Sequence, residues 1–346
     1  SDRGYDLVVE HNQDIIVTGQ FFGQVNFGAT TLFSNASSKD IFLFKLNPAG
    51  TVLWARKEGG AMAENAYGVS VDSQNNVLLT GQFQSTSSIA GQTITSIIDP
   101  VTFLPSFDLF IAKYDQNGNP LWLKTGLADY EDRGLAVATD ASDNIFITGQ
   151  FSDTLVLAGQ TFNNDAYNVG FLAKFSSAGQ LQWMNTLRAG MVIPYDLEVN
   201  SVNEVVVTGD FLGNMVYFDA GGLHNITNPY ERQIFVLKTA NNGNYIWDET
   251  FGSDSDVSAR SVSIDSQKDI FVTGYFKCDF TQFQETNAAI FSSVGYKDPY
   301  LIKVSNSGNL VYSKQLGGKM DDEGHGVAVR TTNEPIICGS YSKDLM

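Results

Sequence analysis

Carboxylates recur at one place in this sequence. Asp2, Glu64, Asp132 and Asp322 each stand eight residues before the end of a short apolar stretch, and Val192 and Val257 hold that place in two further copies. Brought together, such carboxylates could hold a divalent cation or work as an acid–base pair. Kept apart, each would cap a loop by accepting backbone N–H groups. Glu64, Asp132 and Asp322 are the candidate metal ligands, with Ca²⁺ the cation such oxygens favour. Glu198 is single in its own column, where Val8, Ser70, Ala138, Ser263 and Ala328 stand elsewhere. A lone carboxylate on an inner strand could line a channel and bind a polar ligand. Tyr130, Tyr195, Tyr217 and Tyr230 fall outside the repeated positions and are candidates for exposed ligand contacts. Asp115-Gln116-Asn117-Gly118-Asn119 reads alone as the start of a calcium loop. Its sister turns, such as Asn47–Gly50 and Ser176–Gly179, keep the glycine and lose the carboxylate, so a hairpin turn explains all copies. His11, His224 and His325 are scattered, and no H-E-x-x-H, G-x-S-x-G or P-loop pattern is present, so no catalytic residue is assigned.

The elements that carry these residues repeat. A Thr-Gly step, with Cys338 replacing Thr in the last copy, places glycine at 19, 81, 149, 209, 274 and 339, intervals of 60 to 68 residues. Phe21, Phe83, Phe151, Phe211, Phe276 and Tyr341 follow two residues later. Between copies runs an apolar stretch holding Lys45, Lys113, Lys174, Lys238 or Lys303, then a turn, then Trp54, Trp122, Trp183, Trp247 or Tyr312. Four short strands per period predict an all-β fold of propeller blades. The second strand is continuously apolar, as in Val77-Leu78-Leu79, so both of its faces should be covered by like modules. A lysine inside an apolar strand needs a partner, and Glu10, Asp72, Asp140, Asn200 and Asp265 end the first strands.

One β-propeller domain is expected over 1–346. Its blades fall at about 5–58, 66–127, 133–188, 194–251 and 258–316, with a partial sixth at 324–346. Such an ending reads as a cut from a longer protein. The crossing Gln84–Ser106 is the longest and contains Pro100 and Pro105. With 21 Lys and Arg against 38 Asp and Glu, the net charge of −17 disfavours nucleic acid. No apolar run reaches the roughly 18 residues of a membrane span. Cys278 and Cys338 could pair, but a small buried thiol in the threonine column is the simpler expectation for Cys338.

The pattern D-x-F-x-x-K followed by a turn glycine and Trp, seen in Asp108–Trp122, and V-D-x-x-x-N-V-x-x-T-G-x-F, seen in Val71–Phe83, resembles the SBBP-type β-propeller repeat of bacterial secreted proteins. Departures are Gly170 and Gln233 near the Asp position, and Arg330 for the Asp ending the first strand. The resemblance implies a secreted or cell-surface location, and in Bacteroidetes type IX secretion. Asp153-Thr154-Leu155 is similar to the short O-glycosylation signal of that phylum. The function expected is a non-enzymatic interaction module for another protein or a surface glycan, within a larger adhesin or assembly. Two alternatives are a propeller glycoside hydrolase or lyase using Asp132, Glu198 and Asp322, and a calcium-stabilised scaffold.

Overall fold

The computed structural model describes residues 2–35, 38–164, 168–226, 232–253, 255–282, 289–294 and 296–342. Its described elements are all β-strands, arranged as successive modules. The first module holds β1 (Arg3–Val9), β2 (Ile15–Phe22), β3 (Gln24–Phe27), β4 (Thr30–Phe33), β5 (Lys39–Leu46) and β6 (Val52–Gly60). The second holds β7 (Glu64–Val71), β8 (Val77–Gln84), β9 (Thr86–Ile89), β10 (Gln92–Thr95), β11 (Phe107–Tyr114) and β12 (Pro120–Ala128). The third holds β13 (Arg133–Thr139), β14 (Ile145–Phe151), β15 (Thr154–Leu157), β16 (Gln160–Asn163), β17 (Val169–Phe175) and β18 (Leu181–Arg188). The fourth holds β19 (Met191–Val199), β20 (Val205–Leu212), β21 (Met215–Asp219), β22 (Gly222–Ile226), β23 (Arg232–Thr239) and β24 (Tyr245–Ser253). The fifth holds β25 (Val257–Ile264), β26 (Ile270–Phe276), β27 (Asp279–Gln282), β28 (Ala289–Ser292), β29 (Asp298–Val304) and β30 (Leu310–Gln315). Last come β31 (Glu323–Val329) and β32 (Pro335–Ser340).

Compactness divides the chain into Ser1–Tyr167 with Ala173–Trp183, and Asn168–Leu172 with Met184–Met346. In the first unit, sheets run β1-β2-β5-β6-β9-β10 and β7-β8-β11-β12-β15-β16. In the second they run β19-β20-β23-β24-β27-β28, β25-β26-β29-β30 and β31-β32. The crossing between second and third strands is therefore not a loop. From the second module to the fifth it forms a small hairpin that leaves its own module and pairs with the last strand of the preceding one, whereas β3–β4 is a two-stranded sheet by itself. Gly60 faces Ser87, Ala128 faces Leu155 and Ser253 faces Phe280. The first strand of each following module packs over its predecessor within each unit, β7 against β1, β2 and β5, and β25 against β19, β20 and β23.

Apolar cores accordingly lie between modules. Ile16, Ile41 and Leu43 of the first pack with Val69, Leu79, Phe83 and Phe110 of the second. The covered second strands β8, β14, β20 and β26 are buried along almost their whole length. β32 is the departure, and Cys338 on it is an exposed free thiol rather than a buried one, because no third strand covers its outer side among the described residues. Cys278 is also free and exposed, so the two do not pair. The glycine of the Thr-Gly step is required by a close backbone crossing. A Cβ on Gly81 would lie 1.9 Å from the Asn65 carbonyl oxygen, and one on Gly274 equally near that of Ser258.

Candidate functional site

The lysine column pairs with the turn that ends the first strand. Nζ lies 2.7 Å from Glu10 for Lys45, 2.8 Å from Asp72 for Lys113, 3.6 Å from Asp140 for Lys174 and 3.1 Å from Asp265 for Lys303. In the fourth module Asn200 carries no charge, and Lys238 instead meets Glu204 at 2.6 Å. Asn200 holds that carboxylate through its amide at 2.7 Å. The ammonium groups also reach the next module's turn: Lys113 donates to the Ser177 carbonyl and Lys238 to that of Asn306. Trp54 donates to the Gln116 carbonyl that Lys45 also reaches and Trp247 to that of Asn306, and Gly118 and Gly308 sit with positive φ directly on these rings. The column joins neighbouring modules. The turn at Asp115 is a local cap, its carboxylate accepting from the Asn117 and Asn119 amides.

The carboxylate column meets a second one. The residue five before each lysine is Asp40, Asp108, Val169, Gln233 or Asp298. It precedes Glu64, Asp132, Val192, Val257 and Asp322 in turn, so acids go with acids and uncharged residues with valine. By this register Val169, not Gly170, holds the departed Asp position. The backbone bond across the junction is the same either way: Asp132 N–H donates to Phe107 O, Val192 N–H to Asn168 O and Asp322 N–H to Lys297 O. The acids are therefore not needed for pairing.

They do collect turn amides. Asp322 accepts from Gly318 and Ser342 N–H, each at 2.8 Å, and Asp2 from Phe22 N–H at 3.1 Å. Asp40 is neutralised by Lys57 at 3.0 Å. Glu64 accepts from the Ser87 hydroxyl, but its Oε2 and both oxygens of Asp132 are buried with no hydrogen bond of good geometry, the Gly60 and Ser152 amides approaching only weakly. Burial, then the nearby Asp40 charge, overcomes the Ser87 and Gly60 donors and raises the Glu64 carboxyl to about 7. Burial likewise raises Asp108 to about 7. Burial and the charge of Asp108 push Asp132 far above the carboxylate range, the Ser152 amide offsetting only part. Such groups stay neutral by keeping protons. Among the described residues no group of three or more His, Cys, Asp or Glu is placed to hold a metal ion. Glu64, Asp132 and Asp322 thus stand at separate junctions, each with its own local surroundings.

Glu198 is half-buried against the next module's first strand, facing the Ser263 hydroxyl and the Ile264 amide. Burial, followed by the charge of Asp196, raises it to about 8. Asp196 in turn accepts from Val262 N–H at 2.9 Å, as Asp6 accepts from Val69 N–H at 2.8 Å. Polar residues on first strands therefore tie module to module. Tyr195 is half-buried under the Arg260 guanidinium, 4.2 Å from its ring, and Tyr130 is half-buried. Tyr217 is fully buried, donating to the Gly243 carbonyl and accepting from Asn185. None of these three is the freely exposed ring expected from its off-register position. Tyr230 lies outside the described residues. Thr154 is in β15, its hydroxyl donating to Asn163 at 3.3 Å.

One exposed apolar feature lies outside the repeated positions. The second module carries an extra turn between β10 and β11. On it Ile98, Val101, Phe103 and Leu104 are 53%, 68%, 78% and 62% exposed. The turn is well tied. Asp99 accepts from Val101 and Thr102 N–H, Phe103 N–H donates to Asp99 O, and Ile98 bridges Pro105. Phe103 takes a positive φ of 58°, which non-glycine residues adopt at a cost. Asp108 anchors its base through the Ile97 N–H at 2.7 Å and the Ser106 hydroxyl at 2.8 Å. The signal was in the sequence: the longest crossing carries Ile98, Val101, Phe103 and Leu104 around Pro100 and Pro105.

No family model matches the chain. It is 22% identical over 267 residues, 65% of its length, to an uncharacterized WD repeat-containing protein of Acanthamoeba polyphaga mimivirus. The match spans 19% of that protein. Among solved structures, one similar chain is a protein of unknown function from Bacteroides caccae, with 10% identity, a TM-score of 0.38, and coverage of 86% of this chain and 93% of that one. Another is a glucose dehydrogenase, with 10% identity, a TM-score of 0.41, and coverage of 98% and 96%. These two likenesses carry no argument about activity. Among the described residues no helix is long and apolar enough to cross a membrane.

Proposed function

We propose that this chain forms blades of a β-propeller that acts as a non-enzymatic binding module for another protein. The observation that carries the reading is the apolar turn of residues 97–106. The repeated polar columns are absorbed in joining modules or capping turns, whereas this turn is peculiar to one module and holds four large apolar side chains in water. A rigid apolar tip on a repeated scaffold suits a protein surface. A glycan site would instead call for exposed aromatic faces with polar neighbours, which Tyr130, Tyr195 and Tyr217 do not offer. The WD repeat-containing relative supports a propeller used for contact. The resemblance to secreted bacterial repeats supports a place at the cell surface within a larger adhesin or assembly, which surface proteolysis of intact cells would test. For the binding role, wild-type protein and an I98S/V101S/F103S/L104S variant are compared as baits in cross-linking on the native cells. A partner held by wild type and lost by the variant is expected. A partner held equally by both would remove the turn from the reading.

A further inference from the structure

Each first strand breaks its pairing at the same place. One residue stands unpaired between neighbours that face the Thr-Gly step, with Cys338 for Thr in the last copy. It is Tyr5 between Gly4 and Asp6, Tyr67 between Ala66 and Gly68, and Leu135 between Gly134 and Ala136. It is Arg260 between Ala259 and Ser261, and His325 between Gly324 and Gly326. In β19 the break falls between Ile193 and Asp196, and Tyr195 takes the same place. A bulge of this kind gives up one ladder position to re-aim one side chain. The backbone here is constant, but the side chain is Tyr, Tyr, Leu, Tyr, Arg and His in chain order. All six are half-buried or exposed, whereas the residue just before is buried in every module from the second on. The columns that pack or pair hold one residue type almost throughout. A column with a fixed backbone and a varied, accessible side chain is built to present that side chain.

In the second unit the presented group is a cation on aromatic faces. The Arg260 guanidinium lies 4.2 Å from the Tyr195 ring and 5.6 Å from that of Tyr275 on β26. Lys297 lies over the same Tyr275 ring at 4.0 Å. The neighbouring cations are occupied. Arg232 meets Asp210 at 3.0 Å and Asp256 at 3.2 Å, and Lys297 meets Asp256 at 3.4 Å and Glu323 at 2.9 Å. Arg260 makes no ion pair among the described residues. The Tyr275 hydroxyl oxygen accepts one of its N–H groups. No nitrogen of Arg260 is buried without a partner, so the donors the protein leaves unmet face water. Stacking holds the guanidinium plane while leaving its N–H edge able to bind.

We propose that Arg260, laid on Tyr195 beside Tyr275, is the anchor of a ligand site that takes a carboxylate group. The N–H fork of a stacked guanidinium matches the two coplanar oxygens of a carboxylate. Asp210, Asp256 and Glu323 close by, and the net charge of −17, favour a singly charged oxyanion over a phosphate, whose extra charge they repel. A free small acid and an acidic side chain of a protein both present this group. The site depends neither on the apolar turn of residues 97–106 nor on the binding role proposed for it.

The test is a titration of the isotope-labelled full chain, followed at the Arg260 Nε–H resonance at low salt. The probes are benzoate, benzamide as its neutral isostere, inorganic phosphate, and the peptide acetyl-Gly-Glu-Gly-amide. Benzoate should bind with a Kd on the order of 1 mM, with benzamide and phosphate at least about tenfold weaker. Followed at the backbone amides around the site, Arg260→Gln should weaken benzoate at least about tenfold. Arg330→Gln removes the same charge from an exposed side chain elsewhere and should change benzoate binding less than about twofold. Should Arg260→Gln fail to fold, Arg260→Lys keeps the charge and loses the fork, and should weaken benzoate by about tenfold as well. A peptide that binds more tightly than benzoate places the carboxylate on a protein, and the reverse places it on a small acid. No shift up to about 50 mM benzoate, equal binding of benzamide, tighter binding of phosphate, or equal losses in Arg260→Gln and Arg330→Gln would overturn the proposal.

Discussion

Replacing Glu198 by Gln should flatten the pH dependence of stability. The Glu198 carboxyl lies at about 8 in the fold against an ordinary 4.5, because burial and then the Asp196 charge oppose its ionisation. The folded state therefore keeps a proton that the unfolded chain releases from about pH 4.5 upward. Stability is full below that value, falls as pH rises, and stops falling once the folded group ionises near pH 8. At about 1.4 kcal/mol per unit the ceiling of this loss is about 5 kcal/mol. Residual exposure and coupling to Asp196 discount it to about 2–3 kcal/mol. Glutamine keeps the shape and the hydrogen-bonding capacity facing Ser263 and Ile264, and never ionises. Urea denaturation of both proteins at about pH 5 and about pH 8.5 gives the comparison. The two should agree within about 0.5 kcal/mol at the lower pH, and the variant should be the more stable by about 2 kcal/mol at the higher. Glu64, Asp108, Asp196 and Asp210 are raised in the same direction, to about 7, 7, 6 and 6, so both proteins retain some slope and the difference between them isolates Glu198. Equal slopes, or a variant weakened by the same amount at both pH values, would refute the reasoning.

Lys113→Met should destabilise by about 3 kcal/mol in denaturant melts, because it strands the buried Asp72 charge, and adding Asp72→Asn should recover part of that loss. If the double variant loses as much as the two single variants added, the pair is not coupled. Gly118→Ala should cost about 1–2 kcal/mol, since this position has a positive φ of 79° and its Cβ would come within 3.2 Å of the Trp54 ring. A neutral effect on the melting midpoint would show that the turn relaxes freely. A chelator should move the thermal midpoint by less than about 1 °C, because protons and Lys57 answer for the buried acids without a metal. A fall of several degrees would restore the calcium-stabilised reading. Finally, Asp108→Asn should loosen the apolar turn, read as faster proteolysis at Phe103, while Asp322→Asn leaves that cleavage unchanged.

The chain alone determined its modules. Strand period, the Thr-Gly step, the turn glycines and the lysine column are local or follow from packing that repeats, so a single copy misread is corrected by its sisters. That is why the covered second strands and the lysine partners were legible, down to the turn that supplies each carboxylate in every module except the fourth. What repetition could not reveal is which module each piece serves. The crossings hold short strands whose partners lie across a junction, as Leu155 pairs with Ala128, and nothing in their own composition says so. The same blindness hid the donors of Glu198, Ser263 and Ile264 some sixty-five residues away in sequence, and the pairing of Asp108 with Asp132. Burial decides whether a carboxyl is a ligand or a held proton, and burial is set by the neighbouring module, so that distinction belonged to the tertiary structure.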